Sequence, residues 1–173
     1  MTSTGSGNAV QASVTVLAPV PGRAVPMTEV PDPVFAGSMV GPGVAVDPRR
    51  ERQTAVSPVA GRILKLHPHA YVVVSPAGRG VLVHLGIDTV QLKGEGFRLI
   101  AAEGDEVVPG QPVVEWDPAQ VEAGGRSPVC PVVALEAAAD ALTALAQQGI
   151  VQKDAHRLII VKPDALQKLV QGS

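Results

Sequence analysis

Four histidines occur in the 173-residue chain, and three of them, His67, His69 and His84, fall within eighteen positions. Imidazole ordinarily titrates close to neutrality, so two neighbouring rings can offer a nucleophilic nitrogen and a hydrogen-bond donor at the same pH. The stretch between them reads as a hairpin: Val72-Val73-Val74, the loop Ser75-Pro76-Ala77-Gly78, and a returning strand from Arg79 to Val83. A four-residue loop there pairs Val74 with Arg79 and, further along the ladder, His69 with His84, both rings on one face. A one-residue bulge breaks that pairing. Paired residues on one face have Cβ atoms roughly 5 Å apart, near enough for two imidazoles to act on one ligand. Three uses fit this pattern: packed or surface histidines, a metal site, and phosphoryl transfer, which needs chiefly in-line positioning and charge stabilisation.

The elements that must hold these residues are short. Apolar runs separated by Pro and Gly predict strands at Val14–Ala18, Val44–Val46, Arg62–Leu66, Tyr71–Val74, Val81–Leu85, Phe97–Ala101 and Val113–Trp116. Pro42, Pro48, Pro58 and Pro76 belong in turns or at edges, because proline cannot donate to a ladder. The fold class expected is all-β, an antiparallel sandwich or flattened barrel with short helices. Asp117-Pro118 followed by Ala119–Ala123 and Gly124-Gly125 predicts a short capped helix, Leu135 to Gln148 a second, and Arg157–Lys162 a last strand. Residues 1–13 read as a Ser/Thr/Gly-rich tail, 14–163 as one domain and 164–173 as a second tail. The phrases Pro21-Gly22-Arg23 and Ala60-Gly61-Arg62 hint at a distant duplication.

Composition narrows the field. Hydrophobic residues make up 46% and charged residues 17%, a balance that can build a core. The net charge of −2 and the interrupted Arg49-Arg50-Glu51-Arg52 run argue against nucleic acid as a partner. No apolar run reaches the roughly twenty residues of a membrane span, and no secretory signal is expected. Cys130 is the only cysteine, so no internal disulfide or cysteine-based zinc site is expected; it reads as an inert packed thiol, and a reducing cytoplasm fits.

The run Val83-His84-Leu85-Gly86-Ile87-Asp88-Thr89-Val90-Gln91-Leu92-Lys93-Gly94-Glu95-Gly96-Phe97 closely resembles the signature around the phosphorylated histidine of glucose-class enzyme IIA proteins of the bacterial sugar phosphotransferase system. The resemblance extends to Leu17-Ala18-Pro19, Val30 to Ala36, Met39 to Gly43, Pro58 to Gly61, His69-Ala70 and Pro131 to Val133. It implies the duplicated hybrid β-fold and a phosphocarrier with no required cofactor. His84 would take a phosphoryl group on Nε2 from the phosphohistidine of the carrier HPr and pass it to a cysteine of a IIB domain serving glucose or N-acetylglucosamine uptake. It further implies that His69 steadies the phosphate, that Asp32 and Asp88 flank the site, and that Val34, Phe35, Val40 and Leu82 belong to an apolar rim docking both partners. Regulatory target proteins are implied as further partners. Taken alone, the rim residues read as core packing. Carboxylates beside a phosphoryl group repel it mildly, which leaves Asp88 either orienting a neighbour or aiding release.

Departures from the resemblance are instructive. Leu66 and His67 replace a Thr-Asn-containing segment in which a hydroxyl supports the second histidine. His67 is expected to be solvated, with support of His69 as the alternative. The N-terminal tail lacks a basic amphipathic helix, so stable membrane insertion is not expected. The rival reading is a zinc metallopeptidase of the lysostaphin-like hybrid fold: His67-Pro68-His69 is a His-x-His pair, and Glu103 to Val113 resembles the glycine-glutamine turn of that group. The upstream His-x-x-x-Asp element is missing, and a catalytic zinc needs three placed ligands and an open position.

Overall fold

A computed structural model describes residues 15–37 and 40–135 and the backbone of 151–154 and 157–160. The strands are β1 (Gly22–Val25), β2 (Gly43–Pro48), β3 (Gln53–Val56), β4 (Gly61–His67), β5 (Ala70–Val74), β6 (Gly80–His84), β7 (Arg98–Leu99), β8 (Glu106–Val107), β9 (Pro112–Trp116), β10 (Cys130–Leu135), β11 (Val151–Asp154) and β12 (Arg157–Ile160). They form a seven-stranded sheet in the order β1-β2-β10-β6-β5-β4-β8, a three-stranded sheet β3-β9-β7 and the hairpin β11-β12. Every pairing is antiparallel. The all-β architecture is the one expected.

The seven-stranded sheet is covered on both faces, and strand alternation sorts its residues between two cores. Val46, Tyr71, Val73, Val81, Val83, Cys130 and Val132 join Val113, Val114 and Trp116 of the smaller sheet in the main core. Ala45, Val72, Leu82, Val133 and Leu135, on the other face, pack under Met27, Val30, Phe35 and Val40. This second core is roofed by a 3-10 turn, Met27–Glu29, and by a one-turn helix α1, Pro33–Ala36. Helix α2, Pro118–Ala123, follows the Asp117-Pro118 start read from the sequence, and the Asp117 carboxylate accepts from Ala119 N–H at 2.9 Å.

Gly22 and Gly61, the centres of the two similar phrases, each open a strand where a Cβ would lie 2.1 Å from a carbonyl oxygen of the paired strand. Only glycine fits either place.

Several expectations need correction. Residues 15–18 form no strand; Leu17 N–H bonds Pro58 O at 2.9 Å, but Pro19 and Pro21 have no N–H to carry a ladder onward. The Phe97–Ala101 strand shrinks to β7, because the N–H groups of both Ile100 and Ala101 converge on the Val113 carbonyl. Strands β1, β3, β8, β10 and β11 were not foreseen. Leu135 ends β10, and the rest of the expected 135–148 helix, together with the two tails, lies outside the described residues. The last strand is Arg157–Ile160, paired with β11.

Candidate functional site

His84 ends β6 on the same face as Leu82, which places it at the margin of the second core. The pairing in front of it differs from the expected one. Ser75 N–H bonds Arg79 O at 2.8 Å and Gly78 takes φ +77°, so the loop is the three residues Pro76–Gly78 and the ladder shifts by one residue. Ala70, not His69, therefore faces His84. Had β5 continued, the pleat would have turned His69 to the other face.

His69 still reaches the site because β5 stops before it. His67 pairs with Ala70, and Pro68 and His69 form the two-residue turn between β4 and β5. A turn residue is free of the pleat, and the His69 ring comes to rest with its centroid 5.3 Å from that of His84, edge to face at 64°. His69 is buried, whereas His84 keeps part of its surface open.

His67 is not merely solvated. The register of β4 slips between Ile63 and Lys65, and this bulge carries His67 onto the row that contains Ala70 and His84. His67 is half-buried and stacks on His69, centroids 5.8 Å apart and planes 21° from parallel. Ala70, the smallest chiral side chain, stands between His67 and His84 in that row and leaves room for the ring from the turn.

The protonation of His84 follows from one contact. Its Nδ1 lies 2.6 Å from the carbonyl oxygen of Gly86. A carbonyl can only accept, so Nδ1 carries the proton and Nε2 presents its lone pair in the neutral ring. Burial pushes the His84 pKa below its ordinary value, opposed by the Gly86 contact and by the charges of Asp32 and Asp88. Near pH 7 the ring is thus predominantly neutral, the form that attacks an electrophile.

The loop after β6 is built for that contact. Gly86 has φ +78°, and a Cβ there would meet Thr89 Cγ2 at 2.7 Å and Ser127 O at 3.1 Å. The buried Thr89 hydroxyl donates to Leu85 O at 2.7 Å, and Ile87 N–H donates to Ser127 O at 2.8 Å. Sequence reasoning missed Gly86 and Thr89 as holders of the ring; the His-x-Gly spacing was the available signal, since Nδ1 can reach the carbonyl two residues on.

The remaining site residues are placed as follows. Asp32 caps α1, its carboxylate accepting from Val34 N–H at 2.8 Å and Phe35 N–H at 3.4 Å. The Asp32-Pro33 start is the signal already used for α2 at Asp117-Pro118, and it passed unread. Asp88 is exposed with a left-handed φ of 59°. The Phe35 ring lies 5.5 Å from that of His84, joining α1 to the site. Phe35, Val40 and Leu82 are buried in the second core, and Val34 is half-buried against it. Among the described residues, no group of three or more His, Cys, Asp or Glu side chains is placed to hold a metal ion, and no helix is long and apolar enough to cross a membrane.

An antiparallel sandwich carrying a neutral, half-open histidine beside a second one is a scaffold for group transfer. Residues 14–139 match the family described as phosphoenolpyruvate-dependent sugar phosphotransferase system, EIIA 1, and the chain belongs to that family. It is similar to the PTS system glucose-specific EIIA component of Staphylococcus aureus (strain COL), 38% identical over 131 residues that cover 75% of this chain and 78% of that one. The component of the same name from Halalkalibacterium halodurans is 42% identical over 120 residues, 68% of each chain. Among solved structures it resembles the glucose permease IIA of Mycoplasma capricolum, with a TM-score of 0.66 and 32% identity over 70% of this chain and 79% of the other. The chain is therefore a phosphotransferase component of a sugar uptake system.

Proposed function

We propose that His84 is the phosphoryl acceptor. The observation that carries this is the Nδ1–H contact to Gly86, which leaves Nε2 as the free nucleophile of a ring held neutral. Nε2 attacks phosphorus of the phosphohistidine on HPr; the new P–N bond forms as the donor's P–N bond breaks, and the donor imidazole leaves. The group then moves to the cysteine thiolate of a IIB domain, which frees Nε2. His69, its ring 5.3 Å from that of His84, donates to the phosphoryl oxygens and stabilises their charge. No cofactor takes part.

HPr and the IIB domain dock on the face above the second core, where Val34 is half-open and Phe35, Val40 and Leu82 support it from beneath. Asp32 and Asp88 supply charge at its margin. The sugar is glucose or N-acetylglucosamine, chosen by the transporter, and the protein works in the cytoplasm. The phosphorylated and free forms present different charge at one docking face, which suits a second, regulatory use on target proteins.

The test is transfer of labelled phosphate from phosphoenolpyruvate through enzyme I and HPr, followed by a chase with a IIB domain. His84→Gln should accept nothing, whereas His69→Gln should accept and then pass the group on poorly. Equal labelling of the two variants would overturn the assignment.

A further inference from the structure

A cleft of about 210 Å³ lies between the loop that follows His84 and helix α2, and none of its lining residues belongs to the histidine site. Leu92 reaches it from the 3-10 turn Thr89–Leu92, Phe97 from the end of the loop, Val121 from α2 and Arg126 from the turn behind that helix. This volume is below the roughly 300–1,000 Å³ of sites for drug-sized ligands, so it suits a small metabolite.

The walls of the cleft are fixed by their neighbours. The Phe97 ring stacks on the fully buried Trp116, centroids 6.0 Å apart and planes 9° from parallel. Arg126 N–H donates to Val121 O at 3.2 Å, and the guanidinium lies near Gly124, where a Cβ would stand 3.7 Å from Nη1. Its Nη2 donates to Gln91 Oε1 at 3.2 Å, which ties the end of α2 to the loop. Arg126 Nε is buried and bonds no group among the described residues. A buried donor without an acceptor is costly, and an anionic oxygen is its strongest partner. Two carboxylates, Glu95 and Asp117, line the same cleft, and Asp117 uses one oxygen to accept from Ala119 N–H at 2.9 Å.

These charges narrow the chemistry. A simple carboxylic acid would give Arg126 Nε its acceptor but add a third carboxylate beside Glu95 and Asp117, and an amine alone would leave Nε unbonded. A zwitterion meets both requirements without changing the charge of the cleft, while Leu92, Phe97 and Val121 offer its body an apolar lining. We propose that the cleft is a binding site for a free α-amino acid with an apolar side chain, its carboxylate on the Arg126 guanidinium and its ammonium group facing Glu95 and Asp117. The site is separate from phosphoryl transfer and does not rest on the assignment of His84.

The experiment titrates the isotope-labelled full chain with leucine and with phenylalanine and follows it by NMR. At least one of the two should bind saturably at low millimolar concentration, moving the Arg126 Nε–H signal downfield together with the amides of Gly96, Phe97 and Gln120. 4-Methylpentanoate, which is leucine without its amine, and 3-methylbutylamine, which is leucine without its carboxylate, should each bind about tenfold more weakly or worse, the loss expected for one charge-assisted hydrogen bond. Arg126→Leu and Glu95→Gln should weaken amino-acid binding by a similar factor. Glu95 is exposed, so its variant keeps the comparison valid even where Arg126→Leu folds poorly. The proposal is overturned if neither amino acid moves these signals, or if only the signals of His84 and its neighbours move. Equal binding of leucine and either analogue, undiminished binding in Glu95→Gln, or tighter binding of glucose at the same residues would overturn it as well.

Discussion

The backbone N–H of Leu85 donates to the carbonyl oxygen of His69 across 2.7 Å, so the residue after one site histidine is fastened to the backbone of the other. The Leu85 carbonyl accepts the Thr89 hydroxyl, and the Leu85 side chain is fully buried in the main core. One residue thereby ties the backbone of both site histidines to the main core.

Gly86 is where that arrangement is most exposed to mutation. Its positive φ strains any other residue, and an added methyl would press on Thr89 Cγ2 and the Ser127 carbonyl. Gly86→Ala should destabilise the fold by about 1–3 kcal/mol, seen as a lower urea midpoint with an unchanged slope. Because the same carbonyl holds His84 Nδ1, phosphoryl acceptance should fall more than stability alone explains. A Gly86→Ala protein with normal acceptance would show that the contact is dispensable.

The pH response has a definite sign. Burial lowers the His84 pKa in the folded chain, so the unfolded chain binds a proton on this residue more readily. Stability from this group is complete above the ordinary histidine pKa of about 6.5 and is lost as pH falls through that value towards the lower, folded one. Wild type should therefore lose stability between pH 7 and 5 more steeply than His84→Gln, by no more than about 1.4 kcal/mol per pH unit, the limit for one proton. Urea titrations of the two proteins across that range measure the difference. A steeper loss in His84→Gln would mean that folding raises the His84 pKa.

What the sequence made legible follows from what acts locally. Asp117-Pro118 and the glycines after Ala123 state a helix start and stop within a few residues, and α2 lies between them. The meeting of His69 and His84 was foreseen for the wrong reason. Loop length alone sets pairing parity, and Gly78 in a left-handed conformation shortened the loop by one residue. Strand β10 went unseen because it is buried on both faces, so Cys130 to Val133 show no alternation to read. The place of His67 depended on the bulge beside Leu64, a feature with no marker in its residue types.

Cys130 offers a test of the core that is independent of the site. Its thiol is fully buried in β10, donates to Pro128 O at 3.3 Å, and is pushed by burial up to about 12. The nucleophile towards alkylating agents is the thiolate, which burial disfavours, and the sulfur lies in the same core as Val46, Val83 and Val132. Native protein at pH 8 should resist iodoacetamide and disulfide reagents for hours, and should be labelled once per chain within minutes in denaturing urea. The labelling rate at intermediate urea should follow the opening of the main core, since β10 lies between β2 and β6 and cannot be uncovered without parting the seven-stranded sheet. Rapid native labelling would mean that β10 separates from its neighbours in the folded protein, and the ladder that positions β6 and His84 would then be far looser than described.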